Sequence, residues 1–278
     1  MTTVAAERPT PARADRSSHV VADAITMLRR NLLHIVRYPG LSVFTILGPV
    51  VILLLTVFVF GGTLGAGLPG VAPAGGREAY LAYVMPGILL ITIAGTASGV
   101  AITVAMDMTE GITARFRTMA ISRAAVLAGH VLGNTLQAIL AVALVLAVGL
   151  AVGFRTTAGP VEWLAAVGII ALISFAVSWI GVAMGIQSKT VETASNLPLI
   201  LTLLPLLGSG FVPTASMPGW LQWFAQYQPF TPFIETVRGL LLGTPLGWNP
   251  LLAIGWSVVI GIGGYAWSRT VYERKSVR

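Results

Sequence analysis

The chain has 278 residues, of which 55% are hydrophobic and only 10% charged, with a mean hydropathy of +0.84 and a net charge of +7. Soluble domains carry roughly 25% charged residues, so the composition excludes an ordinary soluble domain and points to a membrane protein. With no cysteine in the chain, disulfides and thiolate metal sites are excluded as well.

Charged residues mark where the chain meets water, so the uncharged intervals between them measure the spans. These intervals are 38–76, 79–106, 124–154 (interrupted only by His130), 163–188, 193–234 and 239–268. Each exceeds the roughly 20 residues that a helix needs to cross a hydrocarbon core of about 30 Å. Backbone groups in lipid must bond internally, which selects helices over irregular chain. An all-α membrane protein with six transmembrane helices is expected. If the N-terminus, 106–125, 187–196 and the C-terminal tail share one side, that side holds 14 of the 17 Lys and Arg residues. The other side holds only Arg77, Arg155 and Arg238. This positive-inside asymmetry predicts a multi-pass protein of the plasma membrane with both termini in the cytosol. The basic balance is therefore a topology signal and not a nucleic-acid footprint.

In chain order, residues 1–18 are rich in Pro, Ala, Arg and Ser and are expected to form a disordered cytosolic leader. The first apolar run begins only near Leu41, so the first span is expected to remain as an anchor and not to be cleaved as a signal peptide. Val21, Ile25, Leu28, Leu32 and Ile35 recur at helical spacing, with Asp23, Thr26, Arg30 and Arg37 on the opposite face. That predicts an amphipathic helix over 20–37, either lying on the inner membrane surface with its arginines toward lipid phosphates or packed on a soluble partner. Tyr38-Pro39-Gly40 ends it, because proline donates no hydrogen bond and restricts the residue before it.

Spans are expected at about 41–61, 80–105, 126–153, 163–186, 197–212 and 251–268. A Gly/Pro-rich outer loop occupies 61–79 and a short outer turn 155–162. The inner loop 187–196 is too short for a domain, and Lys189 and Glu192 within it read as a surface ion pair. The segment 213–250 is aromatic, punctuated by proline, and charged only at Glu235 and Arg238. It is too apolar for an ordinary loop and too interrupted for one span, which predicts short re-entrant helices in the outer leaflet between spans five and six. Trp163, Trp220, Trp223 and Trp248 then fall at the outer interface, where indoles are favoured.

Between spans two and three lies Asp107–Arg123, DMTEGITARFRTMAISR, the longest charged segment away from the two ends. Ile112, Phe116 and Met119 recur at i, i+4 and i+7, so a short helix here has one apolar face, with Glu110, Arg115 and Arg117 turned to water or to another protein.

Several chemistries lack their residues. Neither Lys189 nor Lys275 lies in a P-loop pattern, and no paired His/carboxylate motif with metal spacing occurs. His19, His34 and His130 are scattered and read as surface or packed residues. The ten acids sit nearly all at span ends, which weighs against a membrane-embedded enzyme. The presumed span cores carry no ionisable residue, which weighs against a self-powered secondary transporter, although backbone carbonyls can bind sodium. Six spans with no energy source and one amphipathic cytosolic element imply an external motor.

The order of parts resembles the permease subunit of type-2 ABC exporters, and most of all the daunorubicin-resistance permease branch. The residues that carry the resemblance are Glu110-Gly111, Arg115-Phe116-Arg117 and Ser122-Arg123 with Val126-Leu127-Ala128-Gly129 after span two. A second set, Phe211-Val212-Pro213, Met217-Pro218-Gly219-Trp220-Leu221-Gln222, Gln228-Pro229 and Arg238, precedes span six. The likeness covers essentially the whole chain beyond residue 20. Ala120 stands where members of that family usually carry proline, so the short helix is expected to run on.

The resemblance implies a pair of permeases, a second copy or a homologous chain, over a pair of separate ABC ATP-binding subunits. ATP and Mg would be bound there and no cofactor by this chain. Glu110, Gly111, Ile112, Arg115, Phe116, Arg117 and Met119 would form the cytosolic coupling helix seated in a groove of the ATPase; the alternative is a plain positive-inside loop. Thr45 and Thr56 on span one and Thr92, Thr96, Ser98 and Thr103 on span two either line a substrate path or bond their own helix carbonyls. In the re-entrant exit region, with Trp220 and Trp223, Glu235 and Arg238 either pair structurally or gate the exit. The lack of buried charge favours a hydrophobic drug-like, secondary-metabolite or lipid-like cargo. Alternatives are a polysaccharide or lipid-linked glycan permease and a self-contained secondary transporter.

Overall fold

The computed structural model describes residues 39–67, 76–109 and 123–276. The expected leader, the interfacial helix over 20–37 and the coupling helix around 110–119 lie outside the described residues. Among the described residues the chain is all helix, turn and loop. Helix α1, Pro39–Leu55, passes through a π-helical turn at Thr56–Phe60 into α2, Gly61–Ala66. The Thr56 hydroxyl donates to the carbonyls of Ile52 and Leu53 at 2.7 and 3.0 Å where the turn widens, the local competition that hydroxyls offer a helix ladder. The first apolar helix therefore runs to Ala66, beyond its expected end.

Helix α3, Gly76–Thr109, is followed by α4, Arg123–Val152, and α5, Pro160–Gln187. After these come the short helices α6, Val191–Asn196, and α7, Leu199–Leu203. A 3-10 turn at Thr214–Ser216, α8 at Gly219–Tyr227 and α9 at Phe230–Leu242 precede α10, Asn249–Ser276. Among the described residues five helical stretches, Ile46–Ala66, Gly76–Thr109, Leu127–Val152, Pro160–Gln187 and Asn249–Arg274, are long and apolar enough to cross a membrane. They coincide with five of the six expected spans.

Helices α3 and α5 form the centre: 72% of the most apolar stretch of each is buried, against 22% for α1 and α10. Small residues permit their close approach. A side chain at Gly181 would meet the Ala97 carbonyl at 2.7 Å, and one at Gly185 the Ala101 carbonyl at 2.6 Å. Such pairs let helix backbones touch in lipid, where packing and not water exclusion holds helices together. Because both numbers rise together, α3 and α5 run parallel. Helix α4 is antiparallel to α3, with Gly149 at Met85 and Asn134 at Thr96. Helix α10 runs parallel to α5, with Gly261 at Ala176 and Gly264 at Trp179, and Ser268 Oγ donates to the Trp179 carbonyl at 3.2 Å.

Since α5 and α10 run parallel, the chain between Gln187 and Asn249 must travel back along the bundle. The sequence predicts one helix over 197–212 for this return; the structure replaces it with broken chain. Pro198 separates α6 from α7, and Pro205 follows the end of α7 at Leu203. Proline has no N–H for the ladder and disfavours helix in the residue before it, so the segment turns irregularly through 204–211. It lies against α3, with Gly210 packed on Gly87 so closely that a side chain at Gly87 would fall 2.7 Å from the Gly210 backbone. The segment 213–250 forms short helices, as expected. Gly243 at φ 69° ends α9, and both Thr157 N and Thr156 Oγ1 donate to the Leu241 carbonyl, at 3.1 and 2.6 Å, tying this end to the α4–α5 turn.

The α3–α5 packing generates a direct test. Gly185→Leu is expected to force the helices apart and destabilise the detergent-solubilised protein by about 1–3 kcal/mol or more. Gly168→Leu, at a position where a side chain meets nothing within 4 Å, is expected to leave it unchanged. Thermal unfolding of the two variants side by side checks this; equal melting would contradict the close approach.

Candidate functional site

The predicted coupling residues Glu110, Gly111, Ile112, Arg115, Phe116, Arg117 and Met119 lie outside the described residues, but the structure places the helices on either side of them. Their stretch joins the end of α3 at Thr109 to the start of α4 at Arg123. Counting helix directions, the beginning of α1 and the end of α10 lie at this same Thr109 end of the bundle.

The predicted path residues divide. Thr45 lies in α1. The hydroxyls of Thr56, Thr92, Thr96 and Thr103 each donate to a carbonyl three or four residues earlier, at 2.7 to 3.0 Å. Thr92 and Thr96 are fully buried in α3. A half-open, mostly apolar cleft of about 440 Å³ lies elsewhere, at the Gly76 end, lined by Thr63, Leu64, Tyr80, Phe211, Val212 and Pro213.

Trp220 and Trp223 stand on the outward face of α8 with Tyr227, at 77%, 66% and 65% exposure, while Ala225 on the opposite face is buried. Trp248 is equally exposed before α10. Indoles so disposed suit the boundary between hydrocarbon and headgroups.

The densest polar contacts gather at Arg238, which is 6% exposed. Its Nη1 pairs with Glu235 one turn earlier on α9, and its Nη2 donates to the Tyr83 carbonyl at 3.0 Å and the Ser209 carbonyl at 2.8 Å. The guanidinium also stacks 4.1 Å from the centre of the Tyr83 ring. Two residues before α9, Gln228 Nε2 donates to the Leu204 carbonyl at 2.8 Å. Leu204 and Ser209 belong to the broken return, whose carbonyls lack helix partners. Two side chains of the α8–α9 hairpin thus supply the donors that the interruption removes, as irregular backbone at membrane depth requires. Arg238 is a structural tie between α9, α3 and this segment.

Sequence reasoning missed a second polar group, at the Thr109 end. Asp107 Oδ2 of α3 lies 3.3 Å from His130 Nε2 of α4, and both side chains are largely buried. One turn deeper, Asn134 Nδ2 donates to Ser178 Oγ of α5 at 2.8 Å and lies 3.5 Å from Thr96 Oγ1 of α3. His130 stood out as the lone ionisable residue of its interval, but its partner is distant in sequence and no spacing rule links them.

Arg238→Met leaves the Ser209 carbonyl without a donor, removes the tie to the Tyr83 carbonyl and leaves Glu235 without its cation. It is expected to cost about 3–5 kcal/mol of stability, the usual penalty for breaking a buried charged network. Arg269→Ala, which removes an exposed pair with Glu273 on α10, is expected to change nothing measurable. Denaturation of the purified variants decides it; equal stability would remove Arg238 as a tie.

The family model described as ABC-2 type transporter matches residues 23–242, ending at the last residue of α9. The chain is 30% identical over 247 residues to the daunorubicin resistance ABC transporter permease protein of Streptomyces coeruleorubidus, covering 88% of this chain and 82% of that protein. It is 23% identical over 202 residues to a Mycobacterium tuberculosis protein named as a probable doxorubicin resistance ABC transporter permease, covering 73% of this chain and 72% of that protein. A match of this extent, on a bundle of long apolar helices, decides the family: the chain belongs to the ABC-2 type transporters.

Proposed function

We propose that this chain is the membrane-spanning permease subunit of an ATP-driven exporter for hydrophobic drug-like, secondary-metabolite or lipid-like molecules. The observation that carries the reading is the similarity, over 88% and 73% of the chain, to permeases named for daunorubicin and doxorubicin resistance. ATP is bound with Mg and hydrolysed on a separate ABC subunit, present in two copies beneath two permeases. The exposed apolar faces of α1, α4 and α10 then meet lipid or the second permease.

In this reading the broken return between α5 and α10 is the fifth of six crossings, and α8 and α9 are the re-entrant pair in the outer leaflet. Both termini lie in the cytosol with the Thr109 end of the bundle, which the distribution of Lys and Arg supports. The stretch 110–119 docks in the ATPase. Phe116 and Met119 bury as apolar knobs while Glu110, Arg115 and Arg117 set orientation. Closure of the ATPases on ATP moves this stretch and, through it, α3 and α4.

Purification from native membranes in mild detergent is expected to bring down a stoichiometric ATP-binding partner, with ATP hydrolysis stimulated by lipophilic compounds. Phe116→Ala and Glu110→Lys are expected to leave the protein inserted but abolish export; normal export in both would sink the coupling assignment. For orientation, Ala114→Cys is expected to resist an impermeant thiol reagent in intact cells and Ala74→Cys to react. The chain has no native cysteine to confuse the labelling, and the reverse pattern overturns the topology.

A further inference from the structure

The Asp107–His130 contact closes the base of the segment that the proposed function gives to the ATPase. Asp107 sits in the last turn of α3, His130 two turns into α4, and the chain between them holds the stretch 110–122. Their side chains are 13% and 7% exposed and 3.3 Å apart. Around them lies an apolar cluster drawn from α3, α4, α5 and α10, with Val104, Leu127, Val131, Val182, Ile186 and Tyr272 as members.

Such a pair adds little to stability. Burying an acid and an imidazole together costs desolvation that an apolar pair of equal size avoids. What the pair adds is register: its attraction is lost when α3 slides or rotates against α4, whereas an apolar contact tolerates small slips. Two further ties act in the same sense. Asn134 links α4 to Ser178 of α5 one turn deeper, and Gly181 and Gly185 seat α5 on α3.

We propose that Asp107 and His130 are positioning residues for energy transfer. They clasp the two ends of the coupling stretch, so that a push on it moves α3 and α4 as one body and is not absorbed by bending between them. This rests on the reading of 110–119 as the docking element. With the clasp gone, the ATPases still close on ATP, but the displacement dissipates at the helix ends and cargo is not carried.

The test uses the complete complex in proteoliposomes, with daunorubicin as the transported probe, and measures both ATP hydrolysis and export. Asp107→His and His130→Asp, made singly, place like groups against each other. Each is expected to keep hydrolysis while export per ATP falls about tenfold, within the usual range of coupling between sites. The exchanged pair, Asp107→His with His130→Asp, restores opposite partners and is expected to recover the wild-type ratio. Single variants that export at the wild-type ratio overturn the clasp. So do variants that lose hydrolysis and export in proportion, or an exchanged pair that recovers nothing. If the single variants do not assemble, Asp107→Asn keeps the shape and removes the charge. A lowered ratio with intact hydrolysis then supports the clasp, and an unchanged ratio overturns it. Failure of the wild-type chain to bind an ATP-hydrolysing subunit, or to export, counts against the exporter reading itself and is visible before any variant is made.

Discussion

A backbone carbonyl in lipid must find a donor, and much of this structure depends on how that need is met where the helix ladder fails. Between α5 and α10 the chain has to return along the bundle, and two prolines prevent it from doing so as one helix. The stranded carbonyls of Leu204 and Ser209 are met by Gln228 and Arg238, from a hairpin that comes later in sequence. The same guanidinium reaches the Tyr83 carbonyl on α3, so the repair also fixes α9 to the central helix. The charge on Arg238 is a cost in a low-dielectric setting, offset by Glu235, two carbonyls and the face of Tyr83.

The rest of the bundle is organised by size more than by polarity. Helices apolar on every side cannot sort themselves by an amphipathic stripe, and lipid offers no hydrophobic reward for burying one leucine against another. Close backbone contact at Gly181, Gly185 and Gly210 sets which helices are neighbours, and a few polar atoms set their register. Thr96, Asn134 and Ser178 meet across three helices, with Asp107 and His130 nearer the helix ends. The outcome is a central α3–α5 pair on which α4 and α10 pack, with α1, α4 and α10 presenting exposed apolar faces. A transporter needs both kinds of part: a body that moves without deforming and faces free to slide against lipid or another subunit.

Each of the five long helices overlaps one uncharged interval, because a helix in lipid must be both long and largely free of charge. The fifth interval, 193–234, misled as to form. Length and apolarity are equally satisfied by broken chain if other parts of the protein supply its hydrogen bonds, and the prolines that break it were visible at 198 and 205. Arg238 could be singled out as one of two charges in an aromatic segment, but its ties to Tyr83 and Ser209 could not, since 155 and 29 residues separate them. The threonines of α3 were legible as polar residues on a span with two readings open, and the structure shows their hydroxyls turned into their own helix.

The amino-acid sequence by itself determined the membrane class, the number of uncharged intervals, the sidedness of charge and the family likeness. Each follows from composition or from order along one dimension, where water and lipid act on every residue separately. The tertiary structure decided which helices lie parallel, where the return segment breaks, and which polar atoms meet across helices. Those depend on distances between residues far apart in the chain, and in a bundle apolar on all sides the matching of small residues and single polar atoms, not hydrophobic periodicity, determines the partners.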